Sequence, residues 1–493
     1  MDTISNLNDI PSFWIVIAIV VCSGLLFAYL FRSEPAARLR SFGLTNRGYV
    51  YCLLGAVLLS GLTFRFLDPR VVPWGGGDEY FVRAINIVEH GVYGTGTAPS
   101  AIFPPGYSFV LLPFVFLFGK SPWSFFIPNF LLLAAVSLLL RQVLIRLGAA
   151  PRHANLAAAL LLLTPNRLLS TLLPLSDAPF ALLWMAAFAL LLLSNKYTER
   201  VFLPLAAGYV SGFAAVVRSP GVLYLIPLVA GIAACRAEAW SSRRLRAGLV
   251  IGGAVLALAP WTVRNYLQWG KVVPVSNNGG YNLAVGNNPT EPITWNPYCD
   301  TSGTLALAVA RTGGADWNEA RRDSFYARQA LEHMMATPVQ TVSRGVAKIV
   351  RTFNSDAYSF GFLETYTNAR RLVFPLRSEP PRDRNAAIVL QAFYSLYYHA
   401  IYLLNGVIYY LLLALTFRFL LTDNRMRSPA SVVIVTLAAC IAVVVFLFFG
   451  LSRYKEPLGT AMALYVALRA FTPGYEERPA GVTGSAGPRG GAA

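Results

Sequence analysis

The chain has 493 residues, 55% of them hydrophobic and 13% charged, with a mean hydropathy of +0.51. A soluble domain carries about 25% charged residues, so this composition, with its repeated apolar runs, excludes an ordinary globular enzyme and a disordered protein. The 41 Lys and Arg against 24 Asp and Glu leave a net charge of +17, but the excess flanks apolar stretches and no Lys-rich tract or base-stacking motif accompanies it, which argues against nucleic acid as a partner.

A helix that crosses a bilayer core needs about 20 apolar residues. In chain order, eleven spans are expected, at residues 12–31, 48–67, 123–146, 153–168, 176–194, 201–217, 220–235, 247–263, 391–418, 429–450 and 457–471. The first does not read as a cleavable signal, because Asp2 and Asp9 precede it and no basic residue does. Cys22, Cys52, Cys235 and Cys440 lie in or beside apolar stretches and Cys299 stands alone in a polar one, so no disulfide framework or metal cluster is implied.

Lys and Arg in short loops mark the cytoplasmic side. Arg32, Arg38, Arg40 and Arg47 follow the first span, and Arg141, Arg146 and Arg152 close the third. Lys196 and Arg200 follow the fifth, Arg236, Arg243, Arg244 and Arg246 the seventh, and Arg418, Arg425 and Arg427 the ninth. With eleven spans all five clusters share one face, so the amino terminus is expected outside and the carboxyl terminus inside. The expected organisation is an N-terminal helix and loop (1–47), a membrane core (48–263) containing a first exterior loop (68–122), a large exterior loop (264–392), C-terminal membrane helices (393–471) and a Gly/Ala/Pro-rich disordered tail (472–493).

The first exterior loop reads Gly75-Gly76-Gly77-Asp78-Glu79-Tyr80-Phe81. Asp78 sits where a helix would begin, and Phe81, Ala84, Ile85 and Val88 share one helical face that could lie on a membrane surface, with Gly91 as its stop. The apolar run after Phe103-Pro104-Pro105-Gly106-Tyr107 ends at Gly119, which is short for a span. It is taken as a second interfacial helix, since counting it as a span would reverse every later basic cluster. Asp78 suits two roles: a helix N-cap, or a general base at the membrane boundary, where adjacent carboxylates are costly unless solvated or used.

The second loop is balanced, with 14 Lys and Arg against 10 Asp and Glu. A helix is expected over 316–335, with Trp317, Ala320, Phe325, Ala327, Leu331 and Met334 on one face and Pro338 just past its end.

Gly77-Asp78-Glu79-Tyr80 with Ala84, then Phe103-Pro104-Pro105-Gly106-Tyr107, resembles the first exterior loop of the GT-C membrane glycosyltransferases, in particular the bacterial branch related to protein O-mannosyltransferases and lipid A aminoarabinose transferase. Val217-Arg218-Ser219-Pro220-Gly221 is similar to that family's Arg-Pro turn. Pro260-Trp261-Thr262-Val263-Arg264-Asn265-Tyr266, Asn277-Asn278-Gly279-Gly280-Tyr281-Asn282-Leu283 and Gly286-Asn287-Asn288-Pro289 look like the block that opens its large exterior loop. Ser452-Arg453-Tyr454-Lys455-Glu456-Pro457 resembles the Arg-Tyr-x-x-Pro before its last span. The resemblance covers about residues 48–471, and the chain departs from it by an extra N-terminal span and a short large loop.

The resemblance implies an all-α GT-C bundle in a bacterial inner membrane, roofed by periplasmic amphipathic helices. It implies a polyprenyl-phosphate sugar donor and inverting transfer on the periplasmic face to a lipid, glycan or protein acceptor. Carried over by position, Asp78 is the base and Glu79 its neighbour or a cation ligand, and Arg218 and Arg453 lead the donor-phosphate set. Arg264, Lys271 and Lys455 are weaker members of that set, since bases at helix ends also snorkel or anchor spans. Tyr80 and Tyr107 are candidates for sugar or phosphate contact, although interfacial tyrosines are common belt residues. Asp177, Asn278 and Asn282 are candidates for an acceptor cavity, although Asp177 equally suits a cap and residues 277–280 a turn. Asp78 and Glu79 are too few ligands to specify a divalent cation, and His90 has no second His or Cys nearby. A flippase of a lipid-linked sugar and an O-antigen ligase or polymerase are the competing readings.

Overall fold

The computed structural model describes residues 37, 39–65, 79–236, 238–288, 317–354, 384–422 and 428–472. Among these every long element is a helix, and the two strands, β1 (Gly94–Thr95) and β2 (Ala98–Pro99), form one short antiparallel pair. Among the described residues, five helices are long and apolar enough to cross a membrane: α4 (Trp123–Leu147), α7 (Asp177–Lys196), α10 (Trp240–Trp269), the part His399–Leu421 of α14 (Arg384–Thr422), and α15 (Pro429–Leu447). The described residues thus form a mostly helical, membrane-embedded bundle.

Six further spans are expected from the sequence. The one at 12–31 lies outside the described residues. Those at 48–67 and 457–471 appear as α1 (Asn46–Arg65) and α16 (Glu456–Phe471). The one at 153–168 is two pieces, α5 (Pro151–Leu163) and α6 (Pro165–Ser170), because Pro165 has no N–H to continue the ladder. That at 201–217 is α8 (Phe202–Val217), and that at 220–235 is a 3₁₀ turn, Ser219–Val222, followed by α9 (Leu225–Ala233).

Close helix contacts are made by small residues. A Cβ on Gly208 would lie 2.0 Å from the Val250 carbonyl oxygen, and one on Gly253 would lie 2.2 Å from that of Leu205, so α8 and α10 touch backbone to backbone. The centre is α7, where Trp184 is fully buried and donates from Nε1 to the Tyr224 carbonyl at 3.0 Å.

Residues from four of the five basic clusters gather at one end of the bundle, and Arg425 and Arg427 of the fifth lie outside the described residues. Lys196 donates to the Arg146 carbonyl, Arg246 donates to Ser194 and Asn195, and Arg141 holds both Asn155 and Asn46. His153 lies 3.0 Å from the Arg40 carbonyl. The opposite end carries the helices of the two long loops, α2 (Tyr80–His90), α3 (Gly106–Phe118), α11 (Gly279–Gly286) and α12 (Glu319–Ala336).

Most of the apolar face of α2 is covered by protein and not laid on a membrane surface: Phe81, Ala84 and Ile85 are buried, with only Val88 exposed, and the Phe81 and Phe125 rings meet edge-on at 5.4 Å. Helix α3 runs antiparallel to the first turns of α4. Tyr107 Oη donates to Asn129 Oδ1 at 3.1 Å, and Ser124 Oγ donates to the Gly119 and Phe114 carbonyls at 2.8 and 3.2 Å. The chain therefore returns at Asn129 to the level it left at Tyr107, and this run does not reach the basic end. Asn318 caps α12, and Ala320, Phe325 and Ala330 form its buried face, while Leu331 is exposed. Pro338 opens a further helix, α13 (Pro338–Asn354), at the first-turn position where proline fits.

Candidate functional site

At the end opposite the basic clusters lies a cavity of about 550 Å³. It is walled by the first loop, the Arg218–Pro220 turn, the start of α11, one side of α12, the residues after α15, and Arg453 with Tyr454.

One pole is cationic. Helix α8 ends at Val217, and Arg218 is extended (φ −150°, ψ 117°) because Pro220 breaks the helical ladder. Gly221 lets this turn sit against α8, since a Cβ there would lie 2.7 Å from Ala215 Cα. Arg453 stands in a 3₁₀ turn, Ser452–Lys455, that leads into α16. Both guanidinium groups converge on Asp177, the first residue of α7: Arg218 Nη1 is 2.7 Å from Oδ1 and Arg453 Nη1 is 3.6 Å from Oδ2. The Asp177 side chain is 0% exposed, against 9% and 11% for the two arginines. Arg218 also donates to Ser176 Oγ at 3.2 Å and stacks on the Tyr454 ring at 5.0 Å. Asp177 thus lies behind the arginines, which present their remaining surface to the cavity.

A second wall is aromatic. Tyr80 lines the cavity and meets Phe103 and Tyr107 edge-on at 5.8 and 5.7 Å. Tyr107 is fully buried behind it, and Ser108 Oγ pins the Tyr80 carbonyl at 2.8 Å. Tyr93 donates to the Phe103 and Pro104 carbonyls at 3.0 Å each, and its burial pushes the phenol well above its ordinary range, so it stays a donor. Glu79 is the residue before α2 and is left-handed (φ 48°). Its carboxylate pairs with Arg83 at 3.0 Å and is not part of the cavity lining. Asp78 lies outside the described residues, two positions before cavity-lining Tyr80.

The third wall is polar. Asn277, Asn278 and Asn282 bring amides to it, and α12 brings Glu319, Arg322, Asp323 and Tyr326. Asp323 Oδ1 accepts the Tyr281 N–H at 3.0 Å, capping α11 from a neighbouring helix, and Glu319 Oε2 accepts the Ala101 N–H at 2.8 Å. Burial raises the Asp323 carboxyl above the usual range, opposed by the backbone N–H groups it accepts and by Lys271.

No family model, curated protein or solved structure matches this chain. Its geometry therefore carries the functional argument.

Of the sequence candidates, Tyr80, Arg218, Asn278, Asn282 and Arg453 meet at the cavity. Arg264 is outside it, held by the Ser100 carbonyl at 3.0 Å between the rings of Trp261 and Trp269. Lys271 donates to Ser324 Oγ at 2.6 Å and so ties α12 down, and Lys455 is buried over the Tyr409 ring at 3.9 Å. No cluster of three or more His, Cys, Asp or Glu side chains suited to a cation occurs among the described residues. Glu319, Arg322, Asp323 and Tyr326 are functional candidates that sequence reasoning missed. Their i, i+3, i+4, i+7 spacing is a polar stripe on α12, visible once the helix is read for both faces.

Proposed function

We propose that this protein is an inverting glycosyltransferase that moves a sugar from a polyprenyl-phosphate donor to an acceptor hydroxyl on the periplasmic face of a bacterial inner membrane. The convergence of Arg218 and Arg453 on Asp177 at the edge of the cavity carries the reading. Two guanidinium groups and one carboxylate sum to +1, which suits the single negative charge of a sugar phosphodiester. The leaving polyprenyl phosphate gains charge as the sugar–oxygen bond breaks, so the arginines hold it more tightly in the transition state than in the ground state. The acceptor oxygen attacks the anomeric carbon from the opposite side, and its proton passes to the Asp78 carboxylate. The products are the glycosylated acceptor, with inverted configuration, and the polyprenyl phosphate. The amides and hydroxyls of the polar wall suit the many hydroxyls of a saccharide. The position of the cavity at the helix ends also favours transfer over transport, because transporters place their sites near the bilayer midplane.

The test is turnover by purified protein given polyprenyl monophosphate and diphosphate sugars in parallel. The monophosphate donor is expected to support transfer, and Asp78→Asn is expected to lose about 10²–10⁴-fold in turnover while still binding donor. Activity confined to the diphosphate donor, or full activity in the Asn variant, would overturn the reading.

A further inference from the structure

Helix α13 has two faces with different neighbours. On one, Gly345, Lys348 and Thr352 are buried, and Gly345 lies so close to the ring of Phe446, near the end of α15, that a Cβ would come within 2.2 Å of it. Lys348 Nζ reaches the Phe446 carbonyl at 3.3 Å. The adjacent face carries Val339, Val342, Val346 and Val350, which are 82%, 55%, 52% and 64% exposed. Their spacing keeps all four on one stripe of the helix. The helix also holds Arg344, Lys348 and Arg351 and no acidic residue.

Three observations point to what covers this stripe. First, α13 is packed on the last turn of α15, a helix of membrane-spanning length whose 19 residues cover about 28 Å; the end of such a span is where the bilayer surface lies. Second, Val443, one turn before Phe446 on α15, is 53% exposed, so the valine stripe adjoins an apolar surface of a membrane-spanning helix. Third, Arg344 and Arg351 stand about 100–180° round the helix from the valines, so the positive charge is on the polar side of an amphipathic helix, the pattern of one that lies on an anionic membrane. We propose that α13 lies along the bilayer surface with its valine stripe in the acyl boundary and Arg344 and Arg351 on anionic phospholipid headgroups. The inference rests on the membrane-embedded fold and on no particular activity.

The test uses the full native chain in vesicles of phosphatidylcholine with and without phosphatidylglycerol. A diazirine that partitions into lipid is expected to label Val342, Val346 and Val350, and hydroxyl radicals generated in water are expected to spare them while marking Ala347, about 100° round the helix from Val346. Phosphatidylglycerol is expected to raise the lipid-phase labelling several-fold, and Arg344→Gln with Arg351→Gln to abolish that increase. Hydroxyl-radical attack on the valines, or their protection from both reagents by a protein partner or second copy, would overturn the proposal. Labelling indifferent to phosphatidylglycerol would overturn the anionic-headgroup assignment.

Discussion

Arg218 and Arg453 share one counter-ion, the buried carboxylate of Asp177, at 2.7 and 3.6 Å. Two cations on one anion in a low-dielectric setting hold each other in place only while the anion stays. Asp177→Asn is expected to cost about 3–5 kcal/mol of stability, because it takes the counter-ion from a buried pair of guanidinium groups. Adding Arg453→Gln to that variant removes one of the two charges and should return part of the loss, a coupling of about 0.5–3 kcal/mol. Thermal unfolding of the four proteins in detergent measures the cycle. Strictly additive losses would show that the carboxylate does not bind the arginines together, and donor turnover should stay low in every variant.

A second prediction concerns how α12 is seated on the polar wall. Gly280 approaches α12 so closely that a Cβ would lie 1.9 Å from the Asp323 carbonyl oxygen, whereas nothing lies within 4 Å of a Cβ on Gly279. Gly280→Ala must therefore push α12 off α11, at a cost of about 1–3 kcal/mol. Glu319, Arg322 and Tyr326 would move with it, so binding of the sugar donor or acceptor should weaken as well. Gly279→Ala, one residue away, is expected to leave the unfolding temperature near its original value. Equal behaviour of the two variants would sink the argument.

These two relationships differ in how far they could be read from the chain. The helices were legible because their apolar runs are long and because lipid leaves the backbone no partner outside its own helix. The joining of Arg146, Lys196 and Arg246 at one end was legible for the same reason, since charge concentrates at span ends. Pro165 shows the limit: a continuous apolar pattern hides a break that one missing N–H imposes. Pro338 shows another, since a proline read as a stop is equally a first helical residue, and α13 went unseen behind it. Arg218 and Arg453 could be named from local motifs, but their meeting around Asp177 depends on contacts remote in sequence, which no local pattern encodes. The face of α12 that lines the cavity was hidden by attention to its apolar one.

Lys348 supplies a pH prediction. Its Nζ donates to Asn287 Oδ1 at 3.1 Å and to the Phe446 carbonyl at 3.3 Å. Burial, with the charge of Arg344 as the lesser cause, pushes the amine down to about 8 from an ordinary 10.5. Between those values the unfolded chain holds a proton that the folded chain has released, so this residue makes stability rise with pH across that window. Its slope approaches about 1.4 kcal/mol per pH unit at most. Lys348→Met removes the titration, and the difference in unfolding free energy between the two proteins should therefore change from pH 7 to pH 10. Parallel pH profiles would show that the amine titrates alike in both states.

The end of the bundle below the cavity rests on a buried pair that surface charges can be compared with. Glu456 begins α16 with its side chain 0% exposed, pairs with Arg167 of α6 (4% exposed), and accepts from Asn166 Nδ2 at 2.8 Å. Asn166 in turn takes the Asn405 side chain of α14 on its backbone N–H at 3.0 Å, so three helices meet at this carboxylate. Glu456→Gln leaves the Arg167 charge buried opposite a neutral amide and is expected to cost about 3–5 kcal/mol. Arg200→Gln, which breaks a pair whose side chains are 54% and 69% exposed, should change stability by no more than about 1 kcal/mol, since solvent already screens it. Replacing both Arg167 and Glu456 by Met removes the charges together and should be near neutral or stabilising, by up to about 4 kcal/mol. Because Glu456 follows directly on Arg453, Tyr454 and Lys455, the single variant should also weaken donor binding, and the double Met variant should recover more of it than of any lost polar contact. Unfolding temperatures of Glu456→Gln and Arg200→Gln that coincide would mean that α16 is held by its apolar face alone.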